Sequence, residues 1–161
     1  MRSRRILLGV AAGLLGALMF GGPALAAPAV DDGDRIAPLI LEVMAEVPGG
    51  VVVDSRHAVW PELGMELVVG AHVRAVSIAA VGSCTTGLVC AYTGTALTGA
   101  RLSWSTCGIL PIPTSFSVRS LADARSGGYA QARNGATVLA TAPAGGWTNV
   151  NGTSTNVRCV L

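Results

Sequence analysis

The chain has 161 residues, enough for one domain with an appendage, and it is 51% hydrophobic but only 4% aromatic. Its 11 basic residues are all arginine, set against 9 Asp and Glu and 2 His. Three of those arginines crowd into the first five residues, so no basic surface remains that would suit nucleic acid, and DNA and RNA are excluded as partners.

The N-terminus opens with "MRSRR", an apolar run "ILLGVAAGLLGALMF", and "GGPALA" with an A-x-A-like end. This is the layout of a secretory signal peptide over residues 1–26, cut between Ala26 and Ala27. A retained anchor is the competing reading, but the apolar run is too short to span a bilayer comfortably. Loss of Arg2, Arg4 and Arg5 leaves eight arginines against nine acids, a net charge of −1. The expectation is a secreted, extracellular, monomeric protein without stable membrane insertion once the leader is gone.

Residues 27–34 form a short polar stretch. "DRIAPLILEVMAEVPGG" then places Ile36, Leu39, Ile40, Val43, Met44 and Val47 at helical spacing, with Arg35, Glu42 and Glu46 on the other face. Asp32 or Asp34 can cap the start, Pro38 suits the first turn, and "PGG" ends the helix. The period then falls to two: "VVVDS", "HAVW" and "MELVV" read as strands, while "GAHVRAVSIAAV" is ambiguous between strand and linker. From Cys84 onward "CAYTG", "ARLSW", "SFSVRSL", "GYAQARN", "TVLATA", "GWTNV" and "NVRCV" are strand-sized pieces punctuated by Gly, Pro and Asn, the pattern of a sandwich or Greek-key barrel. The expected division is a helix plus β segment over 27–81 and a disulfide-bonded β domain over 82–161.

Four cysteines, Cys84, Cys90, Cys107 and Cys159, suggest two disulfides in an exported chain. Three pairings are open. The favoured one joins Cys84 to Cys90 in a local loop and Cys107 to Cys159 in a long closure that stabilises by about 4 kcal/mol on the loop-entropy model. A zinc site is the alternative, but neither histidine lies near a cysteine and no C-x-x-C occurs, so no metal and no cofactor is expected.

"SVRS" (residues 117–120) recurs as "NVRC" (residues 156–159), each after a tyrosine-bearing strand, Tyr92 and Tyr129. Two four-strand units of similar length would make a pair of packed Greek keys. "YTGTALTG" sets Tyr92, Leu97 and Gly99 at the spacing of a folded-over hairpin, in which glycine takes a positive φ and the tyrosine packs across the corner. This pattern resembles the βγ-crystallin Greek-key signature, with Ser117 in the place of its closing serine and leucine where that family usually has a second aromatic. Together with the leader, "VVVDSRHAVWPELGMELVV" and "GLVCAYTGTALTGARLSWSTCG", it is similar to secreted actinobacterial peptidase inhibitors of the Streptomyces metalloproteinase inhibitor type.

That resemblance implies a mainly β, βγ-crystallin-like double Greek-key sandwich with two disulfides, preceded by one short helix and a small β region. It implies inhibition of an extracellular protease, for example a thermolysin-like zinc enzyme, by a rigid substrate-like loop. Such enzymes favour a bulky apolar residue just after the cleavable bond. The apolar, proline-stiffened stretch Ile109, Leu110, Pro111, Ile112 and Pro113, tethered at Cys107, is the candidate loop. A calcium site at "NVNGTS" is disfavoured because Val150 stands where an oxygen ligand is needed.

Catalytic patterns are absent: no G-x-S-x-G, H-E-x-x-H, P-loop or dinucleotide fingerprint occurs, and His57 and His72 read as turn or surface histidines. Only Asp123 among the carboxylates lies in the cysteine-bearing half, which disfavours a paired-carboxylate site there. Trp60, Trp104 and Trp147 read as inward anchors rather than a sugar platform. The expectation is a non-enzyme. The alternatives to an inhibitor are a structural or envelope-associated β module and a small killer-toxin-like protein, the latter disfavoured by the charge of −1.

Overall fold

The structure, a computed structural model, describes residues 35–70 and 80–161. The expected leader, the acidic stretch with Asp32 and Asp34, and residues 71–79 of the ambiguous segment 70–81, His72 among them, lie outside the described residues.

Helix α1 (Pro38–Glu46) starts on its proline, whose missing N–H is not needed in a first turn. No side chain caps it; the backbone N–H of Ala37 donates instead to the Ser55 carbonyl at 2.7 Å. Ile40 and Val43 are its fully buried residues, and Ile36, Leu39 and Met44 pack beside them, as the 3.6-residue period predicts.

Among the described residues eleven strands follow: β1 (Val51–Asp54), β2 (His57–Trp60), β3 (Met65–Val68), β4 (Val89–Tyr92), β5 (Arg101–Trp104), β6 (Ile109–Pro111), β7 (Ser120–Asp123), β8 (Tyr129–Asn134), β9 (Thr137–Pro143), β10 (Gly146–Asn149) and β11 (Asn156–Val160). They form two antiparallel sheets, one of seven strands in the order β1-β2-β3-β5-β4-β7-β10 and one of four in the order β6-β11-β8-β9. Strands on both sides of residue 82 therefore share a sheet, because β3 pairs with β5 from Met65↔Trp104 to Val68↔Arg101. From β4 onward the chain makes two four-strand units, and each gives its third strand to the other sheet: β6 joins β11, and β10 joins β7.

The sheets enclose one apolar cluster in which Trp60, Leu67, Val89, Ala91, Leu102, Trp104, Leu121 and Val157 are all buried. A fully buried side chain of this kind contributes about 1.5–3 kcal/mol of transfer free energy. The larger sheet has more inner face than four strands can cover. Helix α1 supplies the remainder, since Ile40 and Val43 belong to the same cluster as Ala58, Trp60, Met65 and Leu67. The Trp60 indole N–H donates to the Val47 carbonyl at 2.9 Å and so fixes the helix end against β2. Gly50 makes this approach possible, because a Cβ there would sit 2.7 Å from the Trp60 ring.

A second, smaller cluster lies on the outer face of the larger sheet. Cys90, Tyr92, Ala122 and Ala124 are covered by Val81 and Cys84, which the Cys84–Cys90 disulfide holds down. Strands β4 and β7 are consequently buried at every position, which removes the alternation expected of a one-sided strand. Trp147 departs from the expected inward position. It lies on the edge strand β10 opposite Ala122 and is 46% exposed.

Candidate functional site

The hairpin between β4 and β5 folds back over the outer cluster. Ala96 (φ 51), Leu97 (φ 62) and Gly99 (φ 81) all take left-handed conformations. A Cβ on Gly99 would stand 2.4 Å from Thr93 Oγ1 and 3.0 Å from the Gly94 nitrogen, so the close approach itself requires glycine. Tyr92 is buried beneath with its hydroxyl accepting from Ser83 Oγ at 3.1 Å, and burial raises its pKa above the usual phenol value. The serine that closes the hairpin is Ser120. Its fully buried hydroxyl donates to the Gly94 carbonyl at 2.7 Å and accepts from Leu97 N–H at 3.0 Å.

Ser117, assigned that role from "SVRS", is exposed in the connection between β6 and β7. The assignment fails because strand pairing, not the four-letter match, aligns the units. Ser120 opposes Tyr92 at the start of β7, and Asn156 opposes Arg133 at the start of β11. Ser120 and Asn156 are therefore equivalent, three residues out of step with the match of "SVRS" to "NVRC". Tyr129, at the far end of β8, is not a second Tyr92.

The expected inhibitory loop also takes a different form. Ile109, Leu110 and Pro111 are edge strand β6, paired with β11 from Ile109↔Arg158 to Asn156↔Pro111. Leu110, Ile112 and Pro113 turn inward and are buried, which leaves Ile109 and Pro111 outside. An edge position explains how a strand tolerates Pro111. The exposed segment lies just before it: residues 105–109 are five consecutive exposed residues, ending in Ile109 at 73% exposure.

Both ends of that segment are braced. On one side Ser105 N–H donates to the Gly64 carbonyl at 2.9 Å, and Thr106 Oγ1 donates to the Leu63 carbonyl at 3.4 Å. Gly64 ends a short 3₁₀ turn (Pro61–Leu63) in the left-handed region, and a Cβ there would meet Ser105 Oγ at 2.5 Å. On the other side the Cys107–Cys159 disulfide and the bond from Cys159 N–H to the Gly108 carbonyl (2.8 Å) lock the segment to β11.

Beneath this disulfide lies a charged group that the sequence did not single out. Asp123, fully buried, receives Arg125 Nε at 2.8 Å and Nη2 at 2.7 Å in a two-pronged ion pair. The free edge of the guanidinium, Nη1, faces both sulfurs. Asp123 was noted only as the lone carboxylate of its half; no spacing rule links it to residue 125 and two distant cysteines.

A concavity of about 280 Å³ opens between the 112–119 connection and residues 152–155. Its walls include Ile112, Thr114, Phe116, Arg119 and Thr153. Glu46 reaches this connection from α1, accepting from Thr114 Oγ1 (2.8 Å), Ser115 N–H (2.9 Å) and Thr114 N–H. Hydrogen bonds, from Ser115 first and then Thr114, hold its carboxyl down at about 2. His57 pairs with Glu66 at 3.0 Å, and Arg101 stands 3.6 Å from the same oxygen.

No family model matches the chain, and neither a curated protein nor a solved structure matches it. Among the described residues no helix is long and apolar enough to cross a membrane.

Proposed function

We propose that this protein is an exported proteinase inhibitor that presents residues 105–109 to an extracellular protease and has no chemistry of its own. The observation that carries the reading is the braced segment ending in Ile109, apolar and 73% exposed. A segment already held in one conformation loses little freedom on binding, which favours tight association. If the bond between Gly108 and Ile109 were cut, the disulfide at Cys107 and the pairing of β6 with β11 would keep the new ends together. The resemblance to inhibitors of thermolysin-like zinc enzymes fits a bulky apolar residue following that bond. The exchange of third strands between the two four-strand units, and the Ser120 tie across the first hairpin, support reading the sandwich as a βγ-crystallin-like double Greek key.

The test is inhibition of a panel containing a thermolysin-like zinc protease, subtilisin-like and trypsin-like serine proteases and a cysteine protease, with oxidised protein from Ala27 onward. Stoichiometric inhibition of one class is expected. Replacing Ile109→Ala should weaken it by about 2 kcal/mol, roughly 30-fold, as for a central anchor residue. A folded, disulfide-intact sample that inhibits none of them removes this reading. It then favours a secreted binding module acting through the concavity beside Arg119.

A further inference from the structure

The two disulfides sit in opposite surroundings. Cys84 and Cys90 are both fully buried, and the Leu88 carbonyl lies 3.6 Å from Cys84 Sγ. Cys107 is exposed and Cys159 is 5% exposed. Arg125 Nη1 is set against both Cys107 Sγ and Cys159 Sγ. The guanidinium cannot swing away, because Asp123 holds Nε and Nη2 while the Tyr129 and Val160 carbonyls also accept from Nη2 at 3.3 Å. Asp123 neutralises the pair as a whole, but it does so from the far edge, and the cationic edge faces sulfur.

We infer that Cys107–Cys159 is a thiol-exchange site, at which a small extracellular thiol attacks Cys107 and forms a mixed disulfide there. The thiol RSH loses its proton to solvent, and RS⁻ attacks Sγ of Cys107, the more exposed of the two cysteines. The RS–S bond to Cys107 forms as the bond to Cys159 breaks, and the electron pair leaves on Cys159 Sγ. A thiolate leaves faster as its pKa falls, and an adjacent guanidinium lowers that pKa. A second RS⁻ attacks the RS sulfur, releasing RSSR and a Cys107 thiolate. The net change is one protein disulfide and two RSH giving two protein thiols and RSSR. Cys84 and Cys90 are both fully buried, and among the described residues no guanidinium hydrogen-bonds either of their sulfurs.

Opening this bond would remove the covalent tie of the 105–109 segment to β11 at Cys107, leaving the Cys159 N–H to Gly108 bond, the Ser105 and Thr106 bonds and the β6 pairing. That consequence rests on the inhibitor reading; the exchange chemistry does not.

The experiment treats folded, oxidised protein with glutathione, quenches by alkylation, and maps adducts by peptide mass spectrometry. The expected product carries glutathione on Cys107 with Cys84–Cys90 intact, and the first bond should open at least about tenfold faster than the second. Equal rates, prior opening of Cys84–Cys90, or an adduct on Cys159 instead would overturn the proposal. The contribution of Arg125 is read in the neutral double variant Asp123→Asn/Arg125→Gln, which avoids stranding a buried carboxylate, with cooperative thermal unfolding as the check on folding. Exchange at Cys107 should slow about tenfold there and recover in part in Arg125→Lys, which restores a cation. A folded double variant with an unchanged rate would remove Arg125 from the mechanism. Should the double variant not fold, the wild-type adduct map and the Arg125→Lys rate decide the matter.

Discussion

The two four-strand units of the sandwich solve one problem in two ways. In each, the hairpin between the first two strands must be tied to the start of the fourth. In the first unit the hairpin is long, folds over the sheet and needs three left-handed residues, and one buried hydroxyl, Ser120, bonds both Gly94 and Leu97. In the second unit β8 and β9 are joined through the short turn at Gly135 and Ala136, with Asn134 opposite Thr137. Here the tie is divided at the surface: Thr155 Oγ1 accepts from Gly135 N–H at 2.9 Å and Asn156 Nδ2 donates to the Gly135 carbonyl at 3.2 Å. What the units share is satisfaction of the hairpin's backbone from the fourth strand. The residue type that does it follows from burial: a compact hydroxyl where no water reaches, an amide where water can help.

The largest contrast should appear at the two hairpin glycines. Gly99→Ala combines an unfavourable φ with a clash against Thr93 and the Gly94 backbone, and should destabilise by about 3 kcal/mol. Gly135 also has a positive φ of 56 but nothing within 4 Å of an added Cβ, so Gly135→Ala should lose only about 1 kcal/mol. Chemical denaturation of both variants measures the gap, and equal losses would mean that backbone conformation alone matters. A smaller contrast is expected at the ties. Ser120→Ala strands two half-buried backbone groups, Gly94 C=O and Leu97 N–H, and should lose about 2 kcal/mol. Asn156→Ala leaves its partner open to water and should lose about 0.5 kcal/mol. If the two substitutions proved equally harmful, burial would not be what separates the units.

The same contrast explains what could be read from the sequence. Helix α1 and strands β2 and β3 were legible because each packs on one side, so the apolar period survives in "LILEVM" and in "HAVW". Strands β4 and β7 are covered on both faces once the Cys84–Cys90 loop folds down, and their sequences cannot tell one face from the other. Strand β6 was missed because three residues between Gly108 and Ile112, one of them Pro111, look like a stiff connection, and only pairing to β11 makes them a strand. The structure shows the favoured one of three disulfide pairings that the sequence left open, yet the charged group beneath Cys107–Cys159 was not legible at all. It depends on β7, β8 and β11 converging, which no local pattern records. Ser117 and Ser120 differ by three positions, and only the pairing of β4 with β7 decides between them.

The subtlest difference between the units should emerge in acid. Glu46 ties α1 to the connection between β6 and β7, and the tie strengthens only when its carboxyl is charged. With that carboxyl held down at about 2 against an ordinary value of 4.5, its contribution is complete above pH 4.5. It is then lost as the pH falls from there toward 2, because the unfolded chain takes up the proton first. The group is exposed and screened by water, so the effect on global stability should be slight. The corresponding connection of the second unit, residues 150–155, contains no carboxylate, and its ties through Thr155 and Asn156 do not titrate. Thermal unfolding should therefore show wild type exceeding Glu46→Gln at pH 6, with the two converging near pH 2.5. Hydrogen exchange at the lower pH should accelerate around Thr114 and Ser115 before it does around Gly135. Exchange that accelerated at both connections together would mean that the helix anchor serves the whole sandwich rather than the unit it touches.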